Sequence, residues 1–246
     1  MRRPSVALAV ALVMSTAIAS ISWAVVKTSR RTTIDVRGSA KRQIVADLAT
    51  WDATVTVVKP ARADAYAALK TGIAGVTDYL SKNGIAADQQ RIQAARVTEL
   101  EHEETIEDGQ RVRYKKVKDG FQAIQTVQVT SSNVPLIERL SRESTQLIEK
   151  GIDITSYPPA YMYTKVADLK IEMLAEASRD ARARAEAMLA AAGGGAKVGR
   201  VDNIDTGVVN INPANSTETS WEGNYDTSSI DKDMLTTVRV RFEVLN

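Results

Sequence analysis

One histidine and no cysteine occur in the 246 residues of this chain. Those two facts remove most side-chain chemistry at the outset. Without Cys there is no disulfide, no thiolate nucleophile and no Cys-ligated zinc or iron–sulfur centre. With His102 alone, His-rich metal sites and most Ser-His schemes go too. His102 stands in Glu99-Leu100-Glu101-His102-Glu103-Glu104, residue types that suit a carboxylate–histidine metal site. The spacing opposes that use. Successive strand side chains face opposite ways, so Glu101 joins Glu103 and His102 joins Glu104, but never all four. The expectation is a solvated charged strand or hairpin tip.

Three further groupings invite chemistry. Glu218, Glu222 and Asp226 offer oxygen ligands for calcium. No EF-hand or glycine–aspartate repeat orders them, so a mobile polar loop is expected. Gly193-Gly194-Gly195-Ala196-Lys197 lacks the G-x-x-x-x-G-K-[ST] order of a phosphate loop and follows a helix instead of opening one. Tyr157, Tyr161 and Tyr163 surround Pro158 and Pro159. They read either as a partner or subunit contact or as a row packed over the sheet of their own subunit, the second being preferred. The expectation is therefore no enzyme, no cofactor, and no catalytic, cofactor-binding or metal residue. Thirty-two Lys and Arg against thirty Asp and Glu, a net charge of +2, leave no nucleic-acid footprint.

The elements that position these residues follow from periodicity. Ala46 to Val58 alternates, with Ala49, Trp51, Ala53, Val55 and Val57 on one face, which predicts a half-buried strand. Thr32 to Val36, extending toward Val45, predicts a strand before it. Pro60 opens a helix whose apolar positions are Tyr66, Leu69, Ile73, Val76 and Leu80, closed by Gly84. Arg91–Thr98 and Gln122–Val129 read as strands, with Glu99–Tyr114 a long hairpin tip turning at Asp108-Gly109. Asn133 caps a second helix, with Pro135 in its first turn; Leu136, Ile137, Leu140, Leu147 and Ile148 are its apolar positions and Gly151 its end. The order β-α-β-β-α-β over residues 46–163 is the split pattern of a two-layer α+β domain. Residues 164–246 differ. Thr164–Ala192 predicts a long helix with Ala177, Ala181, Ala185 and Leu189 on one face. Short strand pieces follow from Val198 to Ile211, then an aperiodic loop over Pro213–Ser229. Thr237–Leu245 is a last strand, with Val238, Val240, Phe242 and Val244 opposite Arg239 and Arg241. As the second terminal strand, it is expected to offer a sheet edge for pairing.

Before all of this, Ser5 to Val26 carries no charged residue. That length spans a bilayer core as a helix. Residues 1–27 are therefore expected to be a signal-anchor, with Trp23 near its far end and the body, residues 28–246, exported. Cleavage at Ala17-Ile18-Ala19, which would release a soluble secreted protein, is the alternative.

The chain resembles the SIMPL domain (DUF541) family of bacterial envelope proteins. The residues that carry the likeness are Val36-Arg37-Gly38-Ser39-Ala40, Ala46 to Trp51, Leu80 to Ile85, Leu147 to Ile152, Tyr157 to Thr164, Met173 to Ala187, and Val198 to Val201. The resemblance implies a two-lobed α+β body, an exported location, homo-oligomeric rings, and a stress-related or surface-antigen role. It carries no agreed activity and no catalytic motif. The expectation is a non-enzymatic inner-membrane protein with its body in the periplasm or outside the cell, self-assembling as a scaffold or stress-related factor. The alternative is a binding module for a small ligand or envelope polymer in the cleft between lobes.

Overall fold

The computed structural model describes residues 32–108 and 111–245, with the side chains of 107, 108, 111 and 112 outside that description. The expected anchor and the Gly109 turn fall outside the described residues. Among the described residues no helix is long and apolar enough to cross a membrane.

The elements in chain order are β1 (Thr33–Val45), β2 (Leu48–Lys59), α1 (Arg62–Lys82), β3 (Gln90–Ile92), β4 (Arg96–Asp108), β5 (Arg111–Ser131), α2 (Val134–Glu143), β6 (Ile154–Ser156), β7 (Ala160–Met162), α3 (Val166–Ala192), β8 (Lys197–Pro213) and β9 (Asp231–Leu245). This is a mixed α+β chain with antiparallel sheets. It divides into two compact units, one of Arg42–Asp168 with Asn210–Met234, the other of the residues up to Lys41, Leu169–Val209 and the residues from Leu235.

In the first unit β2 is central. Its alternation sends Ala49, Trp51, Ala53 and Val55 into the core, each no more than 1% exposed. β5 pairs with it antiparallel from Ala49↔Ser131 to Lys59↔Phe121. β6 and β7 pair with its other edge, and β4 pairs with β5. Read across the sheet, β6-β2-β5-β4 places the third main strand between the first and second, as the split β-α-β-β-α-β order requires. Leu69, Ile73, Val76 and Leu80 of α1 and Ile137 and Leu140 of α2 join the same core. Each such large side chain contributes roughly 2 kcal/mol by leaving water. Trp51 Nε1 donates to Ser156 Oγ at 3.0 Å, which donates to Ser141 O at 2.7 Å, so the buried indole is satisfied.

The twin helix endings are one device used twice. Gly84 and Gly151 are left-handed, at φ 88° and 79°. Ile85 N donates to Leu80 O and Ile152 N to Leu147 O, the six-to-one bond that closes such a cap. Asn133 Oδ1 accepts from Leu136 N, as the sequence predicts. Three expectations shift. Tyr66 is 53% exposed and Ile148 54%; Ala65 and Tyr79 take inward positions on α1, while α2 ends at Glu143 and a 3₁₀ stretch over Ser144–Lys150 rotates the residues that follow. The strand expected over Arg91–Thr98 breaks into β3 and β4 around Gln93, whose N–H reaches Thr126 O at 2.9 Å.

In the second unit the sheet order is β1-β9-β8. The C-terminal strand is therefore central, and β1 and β8 are the edges. That overturns the expectation that Thr237–Leu245 supplies a free edge: both its sides are paired. Arg239 and Arg241 reach Asp35 of β1 at 3.4 and 3.3 Å. β8 is one 17-residue strand where short pieces were expected. α3 buries Leu169, Met173, Ala177, Ala181 and Ala185, four residues apart. Gly38 explains those alanines. A Cβ there would lie 2.5 Å from Ala181 N, 2.8 Å from Ala181 Cβ, and against Ala177 O. Strand and helix approach at backbone distance because the strand carries no side chain at the contact and the helix only methyl groups. Ser39 N donates to Asp180 Oδ2 at 2.8 Å, and Arg184 holds the same oxygen at 2.8 Å. Gly38→Ala is expected to lower stability by about 3 kcal/mol, the upper range for overpacking. Urea denaturation followed by circular dichroism measures it, and an unchanged midpoint would contradict this packing.

Candidate functional site: a charge-divided ribbon and a buried ion pair

β5 is longer than β2. Pairing with β2 ends at Phe121, where Gly120 sits at φ 122° and an added Cβ would meet Lys59 O at 2.7 Å. Opposite it, β4 carries a bulge between Leu100 and Glu101. Beyond that root, β4 and β5 have only each other. The described side chains from Glu101 to Ile106 are exposed, and so are most from Arg113 to Asp119.

The two strands of this ribbon differ in sign. β4 contributes Glu99, Glu101, Glu103 and Glu104; β5 contributes Arg113, Lys115, Lys116 and Lys118. Register sets Glu101 opposite Lys118, Glu103 opposite Lys116 and Glu104 opposite Lys115. Lys118 Nζ lies 2.5 Å from Glu99 and Lys116 Nζ 3.5 Å from Glu101. Ile106 and Tyr114 stay in solvent, at 44% and 71% exposure.

His102 belongs to this ribbon. Its Nδ1–H donates to the Asp119 carboxylate, 2.7 and 2.8 Å from the two oxygens, and its Nε2 is 3.8 Å from Glu104. The hydrogen bond to Asp119, then the charge of that carboxylate, raises the imidazole pKa above its ordinary 6.5. His102 and Glu104 share a face as alternation requires. Asp119 comes from the other strand, where the spacing gave no sign of it. Among the described residues no three His, Asp or Glu converge on a metal position.

Asp226 has a different use from the calcium ligand weighed above. Lys232 Nζ donates to Asp226 Oδ2 and to Asp226 O, both at 2.7 Å, and the lysine side chain has no exposed surface. Ser228 and Ser229 also donate to the carboxylate through backbone and hydroxyl. Burial pushes the Asp226 carboxyl up, but Lys232, Ser229 and Ser228 outweigh it and hold it far below the usual carboxylate range. Glu218 and Glu222 remain exposed. The segment expected as a mobile loop has no helix or strand of its own, yet it is tethered throughout. Ser220 N donates to buried Asn210, Asn212 Nδ2 to Glu218 O, and Asn215 N to Asp233.

The tyrosines separate. Tyr161 is buried, which pushes its phenol pKa up; Tyr157 is 52% exposed; Tyr163 O accepts from Tyr225 Oη at 3.0 Å. They form no single face. Gly193, Gly194 and Gly195 are all left-handed with open space around them, a helix stop and not a phosphate cradle.

The described ionisable groups that stand out are thus engaged with one another, in an α+β protein with an exposed, charged two-stranded ribbon. Residues 34–242 match the family model SIMPL, described as a protein of unknown function (DUF541), and the chain belongs to that family. Comparison with curated proteins gives no match.

Two predictions follow from these pairs. The lone histidine gives a single Hε1 signal, so its titration by NMR reads the ribbon directly. The folded value lies above 6.5, so the charged pair contributes fully below that pH and fades as pH rises through the raised value. Asp119→Asn is expected to return the midpoint toward 6.5, whereas an unshifted wild-type midpoint would contradict the pairing. For the buried pair, Asp226→Ala is expected to cost about 3 kcal/mol, because it strands a buried ammonium, and Lys232→Met less, because Ser228 and Ser229 still donate to the carboxylate it leaves. The Asp226 contribution is present above the ordinary carboxylate value of 3.8 and is lost only as pH falls through the depressed one. The deficit of Asp226→Ala should therefore persist at mildly acid pH in chemical denaturation.

Proposed function

We propose that this SIMPL-family protein is a non-enzymatic, membrane-held component of the cell envelope that self-assembles through its ribbon, as a scaffold or stress-related factor. The uncharged run Ser5–Val26 supports attachment to the cytoplasmic membrane, with the body in the periplasm or outside the cell. Cleavage after Ala19 would leave the same body soluble.

The observation that carries the assembly reading is the division of charge across the ribbon. Among the described residues between Glu101 and Asp119 neither strand has a second neighbour, so two rows of backbone donors and acceptors are open to strand addition. Two acidic β4 edges repel, as do two basic β5 edges. A β4 edge of one copy attracts a β5 edge of another. Such a contact is head-to-tail, and repetition closes a ring or extends a filament.

Light scattering of the chain from Thr32 onward, at micromolar concentration, tests this. The expected mass exceeds the monomer. Lys115→Glu with Lys116→Glu cancels the basic surplus of β5, leaving Arg113 and Lys118 against two new carboxylates, and should give monomers. Adding Glu103→Lys and Glu104→Lys exchanges the signs of these two cross-strand pairs and should restore assembly. Monomers of the unaltered body at every concentration would overturn the reading.

A further inference from the structure

The strand ends of the β1-β9-β8 sheet form a basic surface at the point where the body meets its N-terminal segment. Val244 N donates to Thr32 O at 2.8 Å, so the last residues of β9 lie beside the first of β1. Arg200 of β8 reaches Glu243 at 2.9 Å, and Gly199 packs on Glu243 and Leu245. One end of this sheet therefore gathers Arg37, Lys197, Arg200, Arg239 and Arg241, opposed by Asp35, Asp202 and Glu243. Five cations against three anions leave two positive charges. Arg200, Arg239 and Arg241 are 40–65% exposed while Glu243 is 14%. Leu245 is 54% exposed at the same end.

The chain length decides what this end meets. Only residues 27–32 separate Val26, the end of the uncharged run, from β1, and three of those six are Lys27, Arg30 and Arg31. Six residues reach at most about 22 Å. Resting on the membrane-held reading above, we infer that the strand ends of β1, β8 and β9 dock on an anionic phospholipid surface, with Lys197 and Arg200 meeting headgroup phosphates and Leu245 at the contact. Cations gain from an anionic leaflet only within about a Debye length of it. A tether of at most about 22 Å lets this end of the sheet come within that range. A lipid phosphate suits them better than a soluble anion, since the exposed guanidinium and ammonium groups enclose no cavity but share one end of the sheet.

The absence of Cys makes the test clean. Full-length protein carrying Leu245→Cys or Thr206→Cys, the latter far along β8, is labelled with a fluorophore and reconstituted into vesicles containing headgroup-quencher lipid. In phosphatidylglycerol vesicles, quenching is expected at position 245 and not at 206. It should drop in phosphatidylcholine vesicles and in high salt. Lys197→Gln should lower the docked-to-undocked ratio about fivefold, the effect of one cation at such a surface. Equal quenching in both lipids, or none at 245 while the protein still sediments with the vesicles, overturns the docking and leaves the anchor standing. Protein that fails to sediment with the vesicles overturns the anchor and the docking with it.

Discussion

A mismatch in strand length governs this molecule. β2 offers twelve residues and β5 twenty-one. Where they run together, the two strands pair along eleven positions and alternate side chains of β2 enter the core. Where β2 stops, β5 keeps only β4. A two-stranded ribbon in water is marginal on its own, so its stability must come from cross-strand pairs. Glu99–Lys118, Glu101–Lys116 and His102–Asp119 are those pairs. The charge pattern is thus first a requirement of the topology, and only then available for recognition.

Much of this was legible in the sequence, and the residues show why. Ala49 to Val55 alternates without fault because one face is buried and the other is not. The endings at Gly84 and Gly151 announce themselves because only a left-handed residue closes the cap. Ala177, Ala181 and Ala185 repeat at four because a strand lies against them. These are local constraints with local signatures. Asp119 for His102 and Lys232 for Asp226 are different. Each partner is chosen by strand register or loop closure, which no periodicity records. Lys232 in particular reads as an ordinary charged residue at the start of a strand, yet its ammonium is wholly enclosed. The central place of β9 was hidden for the same reason, since strand order in a sheet does not follow chain order.

The loop over residues 214–230 shows how a stretch without period still acquires one arrangement. Its composition is that of a mobile segment, rich in Ser, Thr and Asn. Those side chains instead bond to backbone. Asn210 and Asn212 lie buried beneath it and hold Ser220 and Glu218, while Asp226 collects two serines and a lysine. A buried ion pair adds little net stability against an apolar substitute, but it penalises every arrangement that separates its members. Specificity of loop path is the better account of why such a pair is present.

The same reasoning bears on the ribbon. Exposed ion pairs contribute at most about 1 kcal/mol each, so charge cannot by itself hold two copies together. Charged side chains on an edge strand usually serve to discourage pairing. A guard works best when one sign runs along both edges, since every encounter is then repulsive. Here the signs are split, one to each edge. Repulsion therefore remains for like edges and is replaced by attraction for unlike ones. Backbone hydrogen bonds, with the exposed Tyr114 and Ile106, would supply the affinity, and the charges would select which edges meet.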